Sequence, residues 1–168
     1  VHLLQDLVQI DSRNSLPLEK PGVRLADERA MCDELAKLLG ALGFACTTTH
    51  AAPDRPNLVA THCTVPGHPY LAFEAHMDTV GTDGMTIPPL VPEIREERVY
   101  GRGACDTKGS MAAMLCAMAT LIAEKTPINL MLIASCAEET GCEGAPFIDL
   151  TPWELHGIIV GEPTGNKP

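Results

Sequence analysis

Six side chains in this sequence have the types and spacing to hold cations and move a proton: His76, Asp78, Asp106, Glu138, Glu139 and Glu162. They stand in four short polar clusters, HMDTV at 76–80, GRGACDTKG at 101–109, EETG at 138–141 and EPT at 162–164. In extended chain, side chains two apart share a side, so Asp78 can orient a neighbouring ligand loop or accept the second ring N–H of His76. Adjacent Glu138 and Glu139 point apart, which leaves one to bind a cation and the other to take a proton from water. Asp106 lies in a glycine-framed turn ahead of a helix, and a carboxylate with two oxygens is a natural bridge between two ions. Imidazole and carboxylate donors without cysteine suit zinc, cobalt or manganese. Acids gathered at one place would also raise one another's pKa values unless cations sat among them.

Each cluster alone has a plainer meaning: a hydrogen-bonded structural histidine, a helix cap at Asp106, a solvated acidic pair, an ordinary loop acid. Nucleotide binding fails on the residues. Asp106 stands where a dinucleotide fingerprint needs its third glycine, and Lys108-Gly109-Ser110 reverses the order of a phosphate loop. The metal reading rests on coincidence, because all four clusters follow strand-like runs or open a helix at one rim.

The elements that must position them are legible from periodicity. Leu3, Leu4, Leu7 and Val8 form one helical face from the first residue, which implies chain upstream of Val1. Residues 11–22 read as a polar loop. A second helix is expected over 25–42, with Met31, Leu35, Leu38, Leu39 and Leu42 on one stripe and Gly43 ending it. Strands are expected at 44–49, 57–62 and 70–75, then a long loop over 81–97 and a helix over 109–122. The nearly continuous apolar runs 128–135 and 157–161 read as buried strands, with a short helix near 142–148 between them. This order implies an α/β domain of three layers, α/β/α, with a mostly parallel sheet and helices on both faces. Open sheets of this kind bind ligands at the carboxyl ends of their strands.

Composition sets the limits. The 168 residues carry a formal charge of −10, with 45% hydrophobic and 20% charged residues, which is a folded domain rather than a disordered one. The acidic balance argues against nucleic-acid and anionic-membrane partners. The longest apolar stretch, 111–123, is too short to span a bilayer, and no signal peptide is evident. Seven cysteines without a CxxC pair, most within apolar segments, suit reduced, buried thiols in a cytoplasmic protein. No internal repeat or linker divides the chain.

Taken in order, HMDTV, YGRGACDTKG, AEETGCEGA and GEPT resemble the dinuclear zinc hydrolase family of acetylornithine deacetylase, succinyl-diaminopimelate desuccinylase, aminoacylase and the glutamate-releasing carboxypeptidase. The resemblance implies two divalent metal ions, zinc first, with cobalt or manganese possible. His76 would bind one ion, Asp106 would bridge both, Glu139 would bind the second, and Glu162 would complete the site of the first. Glu138 matches the general base and Asp78 the acid beside the first ligand, and a cis peptide is implied after Asp106. The implied reaction is hydrolysis of the amide bond of an N-acyl amino acid or small peptide. The desuccinylase and deacetylase branch comes first; a di-/tripeptidase or carboxypeptidase of the family, or an inactive truncated metal-binding domain, is the alternative. Family chains continue past GEPT through a lid or dimerisation domain and return to the catalytic sheet with a final histidine ligand. Residues 1–168 are therefore expected to be the N-terminal part of a catalytic domain whose full-length protein is a homodimer. His2, His50, His62, His68 and His156 occupy no motif position, and the family's tryptophan after the first motif is absent.

Overall fold

The computed structural model describes residues 1–14 and 27–165. Its strands, in chain order, are β1 Ala45–Ala52, β2 Arg55–His62, β3 Tyr70–His76, β4 Glu93–Arg95, β5 Arg98–Tyr100, β6 Asn129–Ser135 and β7 Leu155–Val160. Every residue of β6 is buried, as an unbroken apolar strand requires, and it occupies the centre of a five-stranded sheet of order β1-β2-β6-β3-β7. The pairs β6–β3 and β3–β7 are parallel. The pairs β1–β2 and β2–β6 are antiparallel, so β2 alone runs against the other strands and the sheet is mixed. The reason is local: only Pro53 and Asp54 separate Ala52 from its partner Arg55, and so short a turn can return the chain only as a hairpin.

Three α-helices, α1 His2–Gln9, α2 Arg29–Ala41 and α3 Lys108–Ala123, share one core. Leu7, Met31, Leu35, Leu39, Met111 and Met118 meet Leu58, Phe73, Leu130 and Leu132 on a single face of the sheet. α3 is rich in alanine, methionine and leucine, all strong helix formers, and its buried stripe runs Met111, Leu115, Met118. Each fully buried side chain of this size stabilises the fold by about 1.5–3 kcal/mol before entropy is charged. The expected layers are unequal. Among the described residues the opposite face carries only a single 3-10 turn, Ala145–Phe147, and the segment 148–155, which lays Ile148, Leu150 and Trp153 on Val59, Met131 and Ile133.

Four expectations need correction. Residues 157–161 were expected to lie in a covered strand, yet β7 is the sheet's edge, with Ile158 at 44%, Ile159 at 49% and Val160 at 57% exposure. The expected loop over 81–97 contains most of a hairpin, β4–β5, turned by Glu96 and Glu97 in the left-handed region at φ 49° and 61°. The second helix begins at Arg29; the expected residues 25 and 26, and positions 15–22 of the expected first loop, lie outside the described residues. Only Cys32 and Cys136 are buried, whereas Cys46, Cys63, Cys105, Cys116 and Cys142 are free and exposed. Cys46 lies on edge strand β1, and Cys116 on a solvent-facing turn of α3.

Candidate metal centre

β6, β3 and β7 run side by side in one direction, so their carboxyl ends bring the segments at 76–78, 136–139 and 161–162 together. The Asp106 segment arrives differently. It follows the small β4–β5 hairpin and forms the turn before α3, rather than the end of a strand of the main sheet. Gly161 makes this junction possible: a Cβ there would lie 2.6 Å from the Cβ of Ser110 on α3. Beside it the Thr107 hydroxyl donates to the Gly161 carbonyl oxygen, and the Asp106–Thr107 peptide is cis, as the family resemblance implies.

At this rim His76 Nε2 lies 3.0 Å from Asp106 Oδ1, 3.7 Å from Glu138 Oε2 and 3.7 Å from Glu162 Oε1. His76, Asp106 and Glu139 can each offer one donor atom within 4.8 Å of the others. The structure thus gathers all the expected ligand residues. His76 is buried, and its Nδ1 lies 2.8 Å from the backbone oxygen of Asp78, which fixes the tautomer and turns Nε2 toward the carboxylates. Of the two tasks open to Asp78, the carboxylate does the first. Its Oδ1 and Oδ2 accept the backbone N–H groups of Glu138 and Glu139, each at 3.1 Å, and the Asn14 amide also donates to it. Its distance to His76 Nδ1 is 3.6 Å, longer than a hydrogen bond.

The electrostatics ask for positive charge. Burial works against an imidazolium at His76, yet Asp78 and Asp106 outweigh it and raise the pKa to about 10. Glu139 and Glu162 are pushed above the usual carboxylate range, first by burial and then by neighbouring acids, chiefly Asp106. These oxygen and nitrogen donors, crowded around one imidazole, fit a divalent ion bound without thiolate.

The loop that carries Glu138 and Glu139 is held from several sides. Asn57, fully buried, accepts the Cys136 N–H at 2.9 Å and donates to the Gly144 carbonyl at 3.0 Å, closing the loop's two ends. Gly144 is packed so closely that a Cβ would lie 2.1 Å from the Cys136 carbonyl oxygen. Ala137 adopts φ 60°, a conformation that costs a non-glycine residue about 1 kcal/mol or more. Lys108, 1% exposed, donates to the carbonyls of Leu7 and Ile10 at 3.0 and 2.7 Å and so caps the end of α1 beside the site; burial lowers its pKa to about 8. Asn14, Glu28, Arg55 and Asn57 are absent from the motifs, and no local pattern in the sequence marks them.

An open cleft of about 470 Å³ runs from Glu138 and Glu162 along the thinly covered face, over Glu74, Ile133, Ile158 and Val160 and beside Ile148 and Leu150. Of the other histidines, His62 lies at the far end of β2 from the rim, while His68 and His156 line a hollow at the amino ends of β3 and β7. His50 is on edge strand β1.

An α/β sheet with an imidazole and several carboxylates at its parallel rim defines a class of metal-site domains, and comparison with known proteins gives the family. Residues 72–167 match the model for Peptidase family M20/M25/M40, and the chain belongs to that family. A probable succinyl-diaminopimelate desuccinylase of Staphylococcus epidermidis is 31% identical over 173 residues, covering 99% of this chain and 40% of that protein. A succinyl-diaminopimelate desuccinylase of Rhizorhabdus wittichii is 38% identical over 158 residues, covering 86% of this chain and 40% of that protein. The chain thus spans about 40% of the length of these curated relatives. Human carnosine dipeptidase 1 shares the fold at a TM-score of 0.78 and 22% identity, over 95% of this chain and 37% of that one. A Staphylococcus aureus tripeptidase does so at 0.74 and 24%, over 95% and 41%. Membership of a metallopeptidase family implies divalent metal binding, in agreement with the donor set at the rim.

Proposed function

We propose that residues 1–168 are the N-terminal part of the catalytic domain of a metal-dependent hydrolase that cleaves the amide bond of N-acyl amino acids or small peptides. The observation that carries this reading is His76 Nε2 within 3.7 Å of carboxylate oxygens from Asp106, Glu138 and Glu162. His76 and Glu162 would hold one divalent ion, Glu139 a second, and Asp106 both; zinc is the first choice, with cobalt and manganese as alternatives. Bound there, such ions supply Lewis acidity, lowering the pKa of water and polarising the amide oxygen. Glu138 takes the proton from the attacking water as the C–O bond forms, then delivers it to the departing nitrogen as the C–N bond breaks. Asp78 holds Glu138 and Glu139 in place through their backbone N–H groups.

N-succinyl or N-acetyl amino acids come first as substrates, because the curated relatives are desuccinylases. The dipeptidase and tripeptidase neighbours keep short peptides as the second reading. The lid or dimerisation domain and the remaining catalytic segment, with the last histidine ligand, would lie outside residues 1–168. The uncovered β7 edge and the apolar cleft beside it support that division. In this reading the full-length protein is a cytoplasmic homodimer; no helix among the described residues is long and apolar enough to cross a membrane.

The test is elemental analysis of the full-length protein together with hydrolysis of a panel of N-succinyl and N-acetyl amino acids and dipeptides. Two metal ions per chain and turnover of one class are expected. Metal without turnover would favour a non-catalytic metal-binding domain; neither, even with zinc in excess, would overturn the enzyme reading.

A further inference from the structure

The geometry points to Arg55 and Glu28 as positioning residues that set the backbone of residues 137–139, the segment presenting Glu138 and Glu139. This rests on the roles proposed above for those two glutamates. Glu28, immediately before α2, is 0% exposed, and its Oε1 accepts the Ala137 N–H at 3.3 Å. The same oxygen receives Arg55 Nε at 3.2 Å and Nη2 at 3.1 Å. Arg55 Nη2 also donates to Asn14 Oδ1 at 2.6 Å, and the Asn14 amide donates to Asp78. Since Asp78 accepts the Glu138 and Glu139 N–H groups, three consecutive backbone donors end on two buried carboxylates. The Arg55–Asn14 bridge joins those two carboxylates into one circuit. Nη1 of Arg55 reaches the same loop at Thr140 Oγ1, 3.4 Å, and Glu143 Oε2, 3.5 Å.

Stability alone does not explain this arrangement. A buried ion pair is on average no more stabilising than apolar residues of the same volume, because desolvation offsets the attraction. Its recognised use is to specify one geometry among several, and the geometry here is unusual, with Ala137 at φ 60°. The circuit draws Asn14, Glu28, Arg55 and Asp78 from four separate segments, and each path from Arg55 ends on the 137–143 loop or on a carboxylate that holds it. A planar guanidinium can serve Glu28 and Asn14 at once; the point charge of a lysine cannot reproduce that fork.

The experiment compares wild type, Arg55→Met, Arg55→Lys and the double variant Glu28→Gln/Arg55→Met in the full-length protein. Amide exchange is read by mass spectrometry in peptides covering 136–140 and, as control, 129–134. Arg55→Met should raise exchange in 136–140 by about tenfold or more, leave β6 unchanged, and lower kcat by about 10- to 100-fold at saturating metal with KM little altered. Arg55→Lys, the milder change should Arg55→Met not fold, should show the same pattern at smaller size. The double variant removes the uncompensated charge, so its Tm should recover toward wild type while loop exchange and kcat do not. Exchange that rises equally in β6, does not rise in 136–140, or recovers together with Tm overturns the proposal. Failure of the underlying assignment has a different signature: turnover surviving in Glu138→Gln, whatever the exchange data show.

Discussion

The two halves of the candidate site are built differently. On one side, the backbone of residues 137–139 is fixed by Glu28 and Asp78, and the loop's ends are tied by Asn57. On the other, the side chains of Asp106 and Glu162 are 48% and 36% exposed, and the ionic partner they share is His76. The held half has its geometry specified by the polypeptide. The rim half has its backbone anchored, through Thr107 to Gly161 and Lys108 to the end of α1, while its carboxylates are left facing one another. Such a division suits a centre in which one side holds a proton-transferring group and one ligand in fixed orientation and the other supplies ligands freer to settle on a cation.

Substitutions can break or sharpen this contrast. The largest effect is expected at the rim. Asp106→Asn should weaken metal binding by more than about 100-fold, beyond the ~10- to 100-fold that residues behind a ligand are worth, without a fall in Tm of the metal-free protein. Competition titration with a chelating dye reads the first quantity and thermal unfolding the second; a large drop in apo stability would place Asp106 in the held half instead.

Next comes the rim's anchor. The Lys108 pKa is lowered by burial from 10.5 to about 8, so between those values the unfolded chain holds a proton that the folded chain has lost. Stability therefore rises with pH over that window, by about 3 kcal/mol in total, and lies at its lower level below pH 8. Denaturant unfolding from pH 7.5 to 10.5 should show that gain in the wild type relative to Lys108→Met, and identical pH dependences would contradict it. A smaller loss is expected within the held loop. Gly144→Ala forces a Cβ against the Cys136 carbonyl and should destabilise by about 1–3 kcal/mol, with local loosening of 136–144. Least of all, Cys105→Ser, at an exposed thiol beside Asp106, should stay within about 0.5 kcal/mol of wild type.

The sequence exposed the reactive side chains of both halves almost completely. His76, Asp106, Glu138, Glu139 and Glu162 are chemically conspicuous residues at the ends of legible elements, and the fold brings them together. It concealed what holds residues 137–139, because hydrogen bonds over 27, 41 and 109 positions, from Arg55 to Glu28, Arg55 to Asn14 and Ala137 to Glu28, leave no local pattern. Asp78 was legible as a residue with two possible tasks, and only the turn after β3 decides which donors its carboxylate meets. The hairpin β4–β5 escaped notice because Glu96-Glu97 is not the Asn-Gly type of turn that marks such a loop. For β7, the apolar run Gly157–Gly161 correctly signalled a strand, but its pattern asks for full cover on both faces, which the described residues supply only in part.

The account turns on two adjacent carboxylates having separate work. The most direct measurement is bound metal per chain and kcat for Glu138→Gln and Glu139→Gln, made side by side in the full-length protein. Glu138→Gln should keep its metal and lose turnover by about 10²- to 10⁴-fold, whereas Glu139→Gln should lose one metal equivalent along with activity. Metal lost with Glu138→Gln and kept with Glu139→Gln would contradict the assignment and exchange the two roles.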